Sequence, residues 1–166
     1  MAKKSESTAG GGTPATLALA QARIEFVAHT YDHDPRAASF GMEAAEKIGI
    51  DPERVFKTLL ADVDGELVVG VVPVAGSLDL RALAAAAGGK RAVMADPMLA
   101  QRRTGYVVGG ISPIGQKAAH RTFVDSSAIL CESMLVSGGR RGFDVELAPD
   151  DLLAVTGATY ADIGRP

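Results

Sequence analysis

Two apolar runs joined by Asp64-Gly65 constrain the fold of this chain more than any other stretch of it. Residues 55–63 (VFKTLLADV) and 66–74 (ELVVGVVPV) are each long enough for a strand. Asp-Gly between two such runs is a strong short-range signal for a β-hairpin. The second run is apolar almost throughout instead of alternating, so both of its faces must be covered. The hairpin therefore predicts a sheet with layers packed above and below it.

The rest of the chain supplies those layers. Thr13-Pro14 reads as a cap followed by proline at the first helical position, opening a helix to about Ala22. A strand is expected over 24–31, then a polar loop at Asp32-His33-Asp34-Pro35 and a helix over 41–48 stopped by Gly49. Asp51-Pro52 starts a turn, Ser77-Leu78-Asp79 opens an alanine-rich helix, and Asp96-Pro97 caps another. Short strands are expected around Val93 and over 106–108, 122–125, 134–137 and 143–147, then a helix over 150–155 and a brief strand over 160–163. Regular βαβ alternation is missing, so the expected fold is α+β. It is a single compact domain over 13–166, with a mixed, largely antiparallel sheet curled into a barrel-like core and helices around it. The 166 residues suffice for one such core.

Residues 1–12 (MAKKSESTAGGG) are polar and glycine-rich, and are read as a disordered tail. No apolar segment follows their lysines, so no secretory signal is expected, and no apolar run reaches membrane-spanning length. The one cysteine, Cys131, excludes an internal disulfide and fits a cytoplasmic protein. A formal net charge of −3 does not mark a nucleic-acid binder. Short basic clusters at Lys90-Arg91, Arg102-Arg103, Lys117 with Arg121, and Arg140-Arg141 leave the partner open.

Familiar catalytic patterns are missing. His29, His33 and His120 form no HExxH, no Cys/His zinc spacing occurs, and neither a GxSxG elbow nor a P-loop is present. No metal or cofactor is expected. His33 beside Asp34 reads as a loop histidine, because neighbours in an extended chain point to opposite sides. Lys57 is the unusual residue: strand periodicity puts it on one face with Val55 and Leu59. An ammonium there either snorkels to solvent as an edge lysine or anchors an oxygen of a ligand. The paired glycines Gly109-Gly110, ahead of Pro113, and Gly138-Gly139, after Ser137, are tight turns or anion-binding backbone. With Lys57 and Asp144 they are the candidate lining of one pocket.

These residues carry a resemblance. TPA at 13–15, HTYDHDP at 29–35, VFKTL at 55–59, PVAGSLDL at 73–80, MADPMLAQRRTGY at 94–106, VVGGISPIGQK at 107–117, VSGGRRGFDVEL at 136–147 and ADI at 161–163 resemble the YbaK-type Cys-tRNA(Pro) deacylases. The likeness runs in order over almost everything from residue 13. It departs only in the tail and in a slightly shortened hairpin at Asp64-Gly65. It implies a freestanding editing domain similar to the insertion domain of bacterial prolyl-tRNA synthetases. Lys57 would be the essential pocket lysine, with Tyr31 and Asp144 lining the aminoacyl site. Gly109, Gly110, Pro113 and Ser137 would add backbone or hydroxyl contacts to the substrate.

The resemblance also implies a reaction. Cysteine and proline have similar volumes, so a synthetase pocket discriminates between them weakly and a second hydrolytic sieve is needed. The substrate's own thiol would attack its carbonyl and expel the tRNA, which accounts for a chain without a nucleophile of its own. The implied partners are the 3′ end of mischarged aminoacyl-tRNA, on Cys-tRNA(Pro) and in some cases Cys-tRNA(Cys), and prolyl-tRNA synthetase in a transient complex. A deacylase for another mischarged tRNA such as Ala-tRNA(Pro), and a non-catalytic aminoacyl-tRNA or synthetase-binding module, are the alternatives.

Overall fold

The structure, a computed structural model, describes residues 12–166. The tail expected over 1–12 lies, apart from Gly12, outside the described residues. Local chemistry sets the ends of the five α-helices among the described residues. In α1 (Pro14–Gln21) the Thr13 hydroxyl accepts from Thr16 N–H while Thr13 N–H donates to Thr16 Oγ1, a reciprocal cap. The Thr13 hydroxyl also donates to the carbonyl of Gly138, which ties the helix start to a strand far along the chain. Helix α2 (Phe40–Ile48) starts one residue earlier than expected, on a Ser39 cap, and stops on left-handed Gly49. Asp79 caps α3 (Leu80–Ala86), Asp96 caps α4 (Pro97–Thr104), and α5 (Pro149–Thr156) begins on its proline.

The strands are β1 (Val27–Thr30), β2 (Phe56–Val63), β3 (Glu66–Pro73), β4 (Ser77–Leu78), β5 (Ala92–Met94), β6 (Arg121–Asp125), β7 (Met134–Arg140), β8 (Phe143–Leu147), β9 (Thr159–Ala161) and β10 (Gly164–Arg165). The hairpin forms as its sequence requires, with Phe56 opposite Pro73 and Val63 opposite Glu66. Asp64 and Gly65 take φ of 51° and 96°, the left-handed conformation of a two-residue hairpin turn. Within β3 every residue from Leu67 to Val72 is buried, so the expected double coverage is met.

A five-stranded sheet runs β5-β2-β3-β6-β9, a three-stranded sheet β1-β8-β7, and a two-stranded one β10-β4. Only β3 with β6 and β6 with β9 are parallel, so the strands are mixed and largely antiparallel. The two larger sheets meet at an isolated parallel bridge between Val55 and Leu135. The described residues form no closed barrel.

Between the sheets lies the main core, with Phe56, Val69, Val71, Ile114, Val136, Phe143 and Val145. Leu83 of α3 packs with Ala61, Val68 and Val72 on the opposite face of the five-stranded sheet. A third cluster joins Ala44 and Ala45 of α2 to Val55, Val74 and Leu135.

The strand expected over 106–108 is absent. Tyr106 is buried and its hydroxyl donates to the Ile114 carbonyl at 2.7 Å, while Gly110 N–H donates to the Val107 carbonyl in a turn. Side-chain anchoring outweighs the β propensity of Tyr-Val-Val here. The strand expected over 24–31 narrows to Val27–Thr30. No helix among the described residues is long and apolar enough to cross a membrane.

Candidate functional site

The site begins with an incomplete sheet edge. Strand β2 pairs with β3 along its whole length but with β5 only from Ala61 to Val63. The Leu60 carbonyl accepts Ala95 N–H at 3.0 Å, so Leu60 points toward the β5 side. Thr58, two residues back, presents its N–H and C=O to that same side, where no strand pairs with it. The Thr58 hydroxyl oxygen is buried without a hydrogen-bond partner.

A cavity of about 390 Å³ opens along this edge, roughly the scale of a small-molecule site. Residues from β2, α2, the segment before α4, the turn at 108–111 and the outer face of the three-stranded sheet line it. On that outer face Ser137 of β7 lies opposite Asp144 of β8, and Asp144 opposite His29 of β1. Tyr31 follows β1 two residues after His29 and is held by its N–H bond to the Gly142 carbonyl. Period-two geometry puts Tyr31, Asp144 and Ser137 on one face.

Of the residues proposed from the sequence, the fold brings Tyr31, Lys57, Gly109, Ser137 and Asp144 to this cavity. Gly110 and Pro113 do not line it. Gly110 lies against the backbone of Arg140, where an added Cβ would stand 2.8 Å from the main chain. Pro113 is buried behind the loop. Gly109 has φ of 90°, and a Cβ there would meet Arg141 Nε at 2.9 Å and the Phe40 ring at 3.0 Å.

The charged groups are held away from water and from counter-charges. Asp144 is buried, and that burial raises its carboxyl pKa to about 7. Lys57 is half-buried, and desolvation lowers its pKa below the ordinary lysine value. Neither joins any ion pair among the described residues. Burial, and then the charges of Asp144 and Glu43, raise the Tyr31 pKa to about 12, so its phenol is a neutral hydrogen-bond donor.

The histidines are engaged outside the cavity lining. His33 Nδ1 lies 2.8 Å from Glu43 Oε1, and the other oxygen of Glu43 accepts Asp34 N–H, fixing the 32–34 loop on α2. His33 thus pairs with Glu43 and not with its neighbour Asp34. His29 Nε2 lies 2.8 Å from Glu146, which also holds Arg54 and Ser133. Cys131 lines a separate cleft with Asp51, Arg54, Asp125 and Arg165.

Comparison with known proteins decides the family. The profile described as "Aminoacyl-tRNA editing domain" matches residues 34–155, well over half of the chain. The chain belongs to the aminoacyl-tRNA editing domain family. It is 40% identical over 121 residues to an Enterococcus faecalis protein provisionally named a Cys-tRNA(Pro)/Cys-tRNA(Cys) deacylase, EbsC, covering 72% of this chain and 73% of that protein. It is 33% identical over 100 residues to a proline–tRNA ligase of Maridesulfovibrio salexigens, covering 60% of this chain and 17% of the ligase. A solved structure described as a candidate trans-editing enzyme for prolyl-tRNA synthetase superposes with a TM-score of 0.80 at 23% identity, over 92% of this chain and 96% of that one. The last match shows a shared fold.

Within this editing domain the sequence alone did not single out Phe40, Thr58 or Met94 as cavity lining. Phe40 carried one signal: an aromatic placed immediately after a serine cap, at the exposed start of a helix. Thr58 carried none, because its role depends on β5 ending before it reaches that part of β2.

Proposed function

We propose that this editing domain releases cysteine from mischarged Cys-tRNA(Pro) by attack of the substrate's own thiol. The observation that carries the reading is a cavity with binding groups and no catalytic nucleophile–base couple. Lys57, Tyr31 and Asp144 line it, whereas its one serine with an expected role, Ser137, accepts Gly139 N–H at 3.1 Å and has no histidine partner. The only cysteine lies in another cleft. An aminoacyl ester is already activated, so holding its thiol in attack geometry supplies the main acceleration.

In this scheme sulfur bonds to the carbonyl carbon, the ester C–O bond breaks, and the thiol proton ends on the ribose oxygen of the departing tRNA. Cysteine leaves as a cyclic thioester that water then opens. Lys57 and the unpaired Thr58 N–H stabilise the carbonyl oxygen as it becomes anionic. Tyr31 and Asp144 hold the aminoacyl end, and Gly109 with Ser137 contacts the terminal nucleoside. Residues 13–166 act as one editing unit in the cytoplasm, working in trans in a transient complex with prolyl-tRNA synthetase. The relatedness to a prolyl-tRNA ligase and to EbsC supports this assignment.

The test is tRNA release from Cys-tRNA(Pro), Ala-tRNA(Pro) and Ser-tRNA(Pro) measured side by side. Loss of cysteine alone is expected, since a hydroxyl is a far poorer nucleophile and alanine has none. Equal clearance of alanine would move the assignment to a general small-residue deacylase. Clearance of none would move it to a binding module.

A further inference from the structure

At the rim of the cavity one arginine is immobilised without a carboxylate. Arg141, in the turn between β7 and β8, is exposed, yet its Nε and Nη2 both donate to the Val108 carbonyl at 2.9 and 2.6 Å. Its guanidinium lies 5.1 Å from the centroid of the Phe40 ring, and it fills the side of Gly109 that lacks a Cβ. Val108, Gly109 and Phe40 all line the cavity, so this one side chain bridges two walls of its mouth. Phe40 also meets His33, with ring centroids 5.4 Å apart.

Arg36, Arg54, Arg121 and Arg165 each meet a carboxylate, and Arg141 is in none of the ion pairs among the described residues. What sets Arg141 apart from the other arginines outside those pairs, such as Arg81, Arg91, Arg102 and Arg103, is its fixation at the cavity mouth. A guanidinium carries five N–H donors. The two bonds to Val108 use two of them, which leaves about three facing outward. A planar, pre-positioned fork of that kind matches the two free oxygens of a phosphodiester.

We infer that Arg141 grips a backbone phosphate of the single-stranded 3′ end of aminoacyl-tRNA, with the Phe40 ring beneath the guanidinium holding it in place. This rests on the editing assignment above and adds to it the contact that distinguishes a tRNA from a bare aminoacyl ester. Chain fixation comes from Val108 and Phe40, so the phosphate meets a cation whose ordering is complete before binding. Arg141 is here a positioning residue that acts through the nucleic acid and not on the reacting carbonyl.

The experiment compares wild type, Arg141→Gln and Arg141→Lys on two substrates. One is Cys-tRNA(Pro); the other is 3′-O-cysteinyl-adenosine, which has the ester and the terminal nucleoside but no phosphodiester. For Arg141→Gln the loss in kcat/KM on tRNA is expected to exceed the loss on the adenosine ester by about tenfold, corresponding to one lost charged contact. The slope of log(kcat/KM) against log salt concentration should become shallower by about 0.7. Lysine, which keeps the charge but not the fork, should restore the salt slope and only part of the loss on tRNA. Equal losses on both substrates with an unchanged salt slope would overturn the inference and leave Arg141 as a brace for the mouth. Binding of a fluorescent single-stranded oligonucleotide ending in CCA reads the contact without turnover. Weakening by about tenfold in Arg141→Gln supports it even if no substrate is deacylated, and unchanged binding refutes it.

Discussion

Ser137 and Asp144 face each other across the ladder of β7 and β8, on the sheet face that also carries Tyr31. A carboxyl group placed there is desolvated by the strands around it and receives no cation in return. Its pKa is raised from 3.8 to about 7. The folded state therefore holds the proton more tightly than the unfolded chain does. Stability contributed by the protonated form is complete below the unfolded value and is lost as pH rises toward about 7.

Asp144→Asn removes that loss, because an amide stays neutral. The variant should be more stable than wild type at pH 8 by about 1–3 kcal/mol and close to it at pH 4. Thermal denaturation at the two pH values checks this, at about 2–4 °C per kcal/mol for a chain of this size. A stabilisation of equal size at both would contradict it. The same substitution should lower kcat/KM on Cys-tRNA(Pro) by about 10- to 100-fold.

Lys57 makes the complementary case. It is half-buried, unpaired among the described residues and partly stripped of water, which is a poor arrangement for stability and a good one for meeting a developing negative charge. Lys57→Met should reduce kcat by about 10²–10³ with Tm unchanged or raised. A fall in Tm of several degrees alongside the lost activity would point to a structural lysine instead.

Gly109→Ala should cost both stability and activity. A side chain at φ of 90° is strained, and its Cβ would press on Arg141 Nε and Phe40. A destabilisation of about 1–3 kcal/mol is expected from urea midpoints, with a raised KM for Cys-tRNA(Pro) as the mouth is displaced. Unchanged KM would separate the glycine from the site.

Cys131→Ala should leave turnover within about threefold of wild type, since the thiol sits in a different cleft and burial raises its pKa. Single-turnover release of tRNA measures this. A collapse in rate would replace the substrate's thiol by a protein nucleophile.

Sequence was most informative where short-range chemistry decides structure. Asp64-Gly65 specified its hairpin, and Ser39, Asp79 and Asp96 capped helices close to the expected positions. It was least informative where a long-range contact overrides local preference. Tyr106-Val107-Val108 has strand-forming residues, yet the hydroxyl bond of Tyr106 to Ile114 and the Gln101 side chain on Val108 N–H hold it as a turn. Whether the sheet closes depends likewise on long-range contacts: among the described residues one isolated bridge, Val55 with Leu135, links the two larger sheets. In the site, Lys57, a charge on an otherwise apolar strand face, could be read directly, whereas Asp144 sits in ordinary alternation and was marked by the resemblance. Phe40 and Arg141 could not be read, because their meeting depends on α2 and the β7–β8 turn converging on Val108.

The central claim is that the substrate supplies the nucleophile. It is tested most directly by the rate of tRNA release from Cys-tRNA(Pro) against S-methylcysteinyl-tRNA(Pro), which is similar in shape but has no free thiol. Rapid release from the first and resistance of the second, by about a hundredfold or more, is the predicted result. Comparable rates on both would contradict it and assign the attack to water or to a group of the protein.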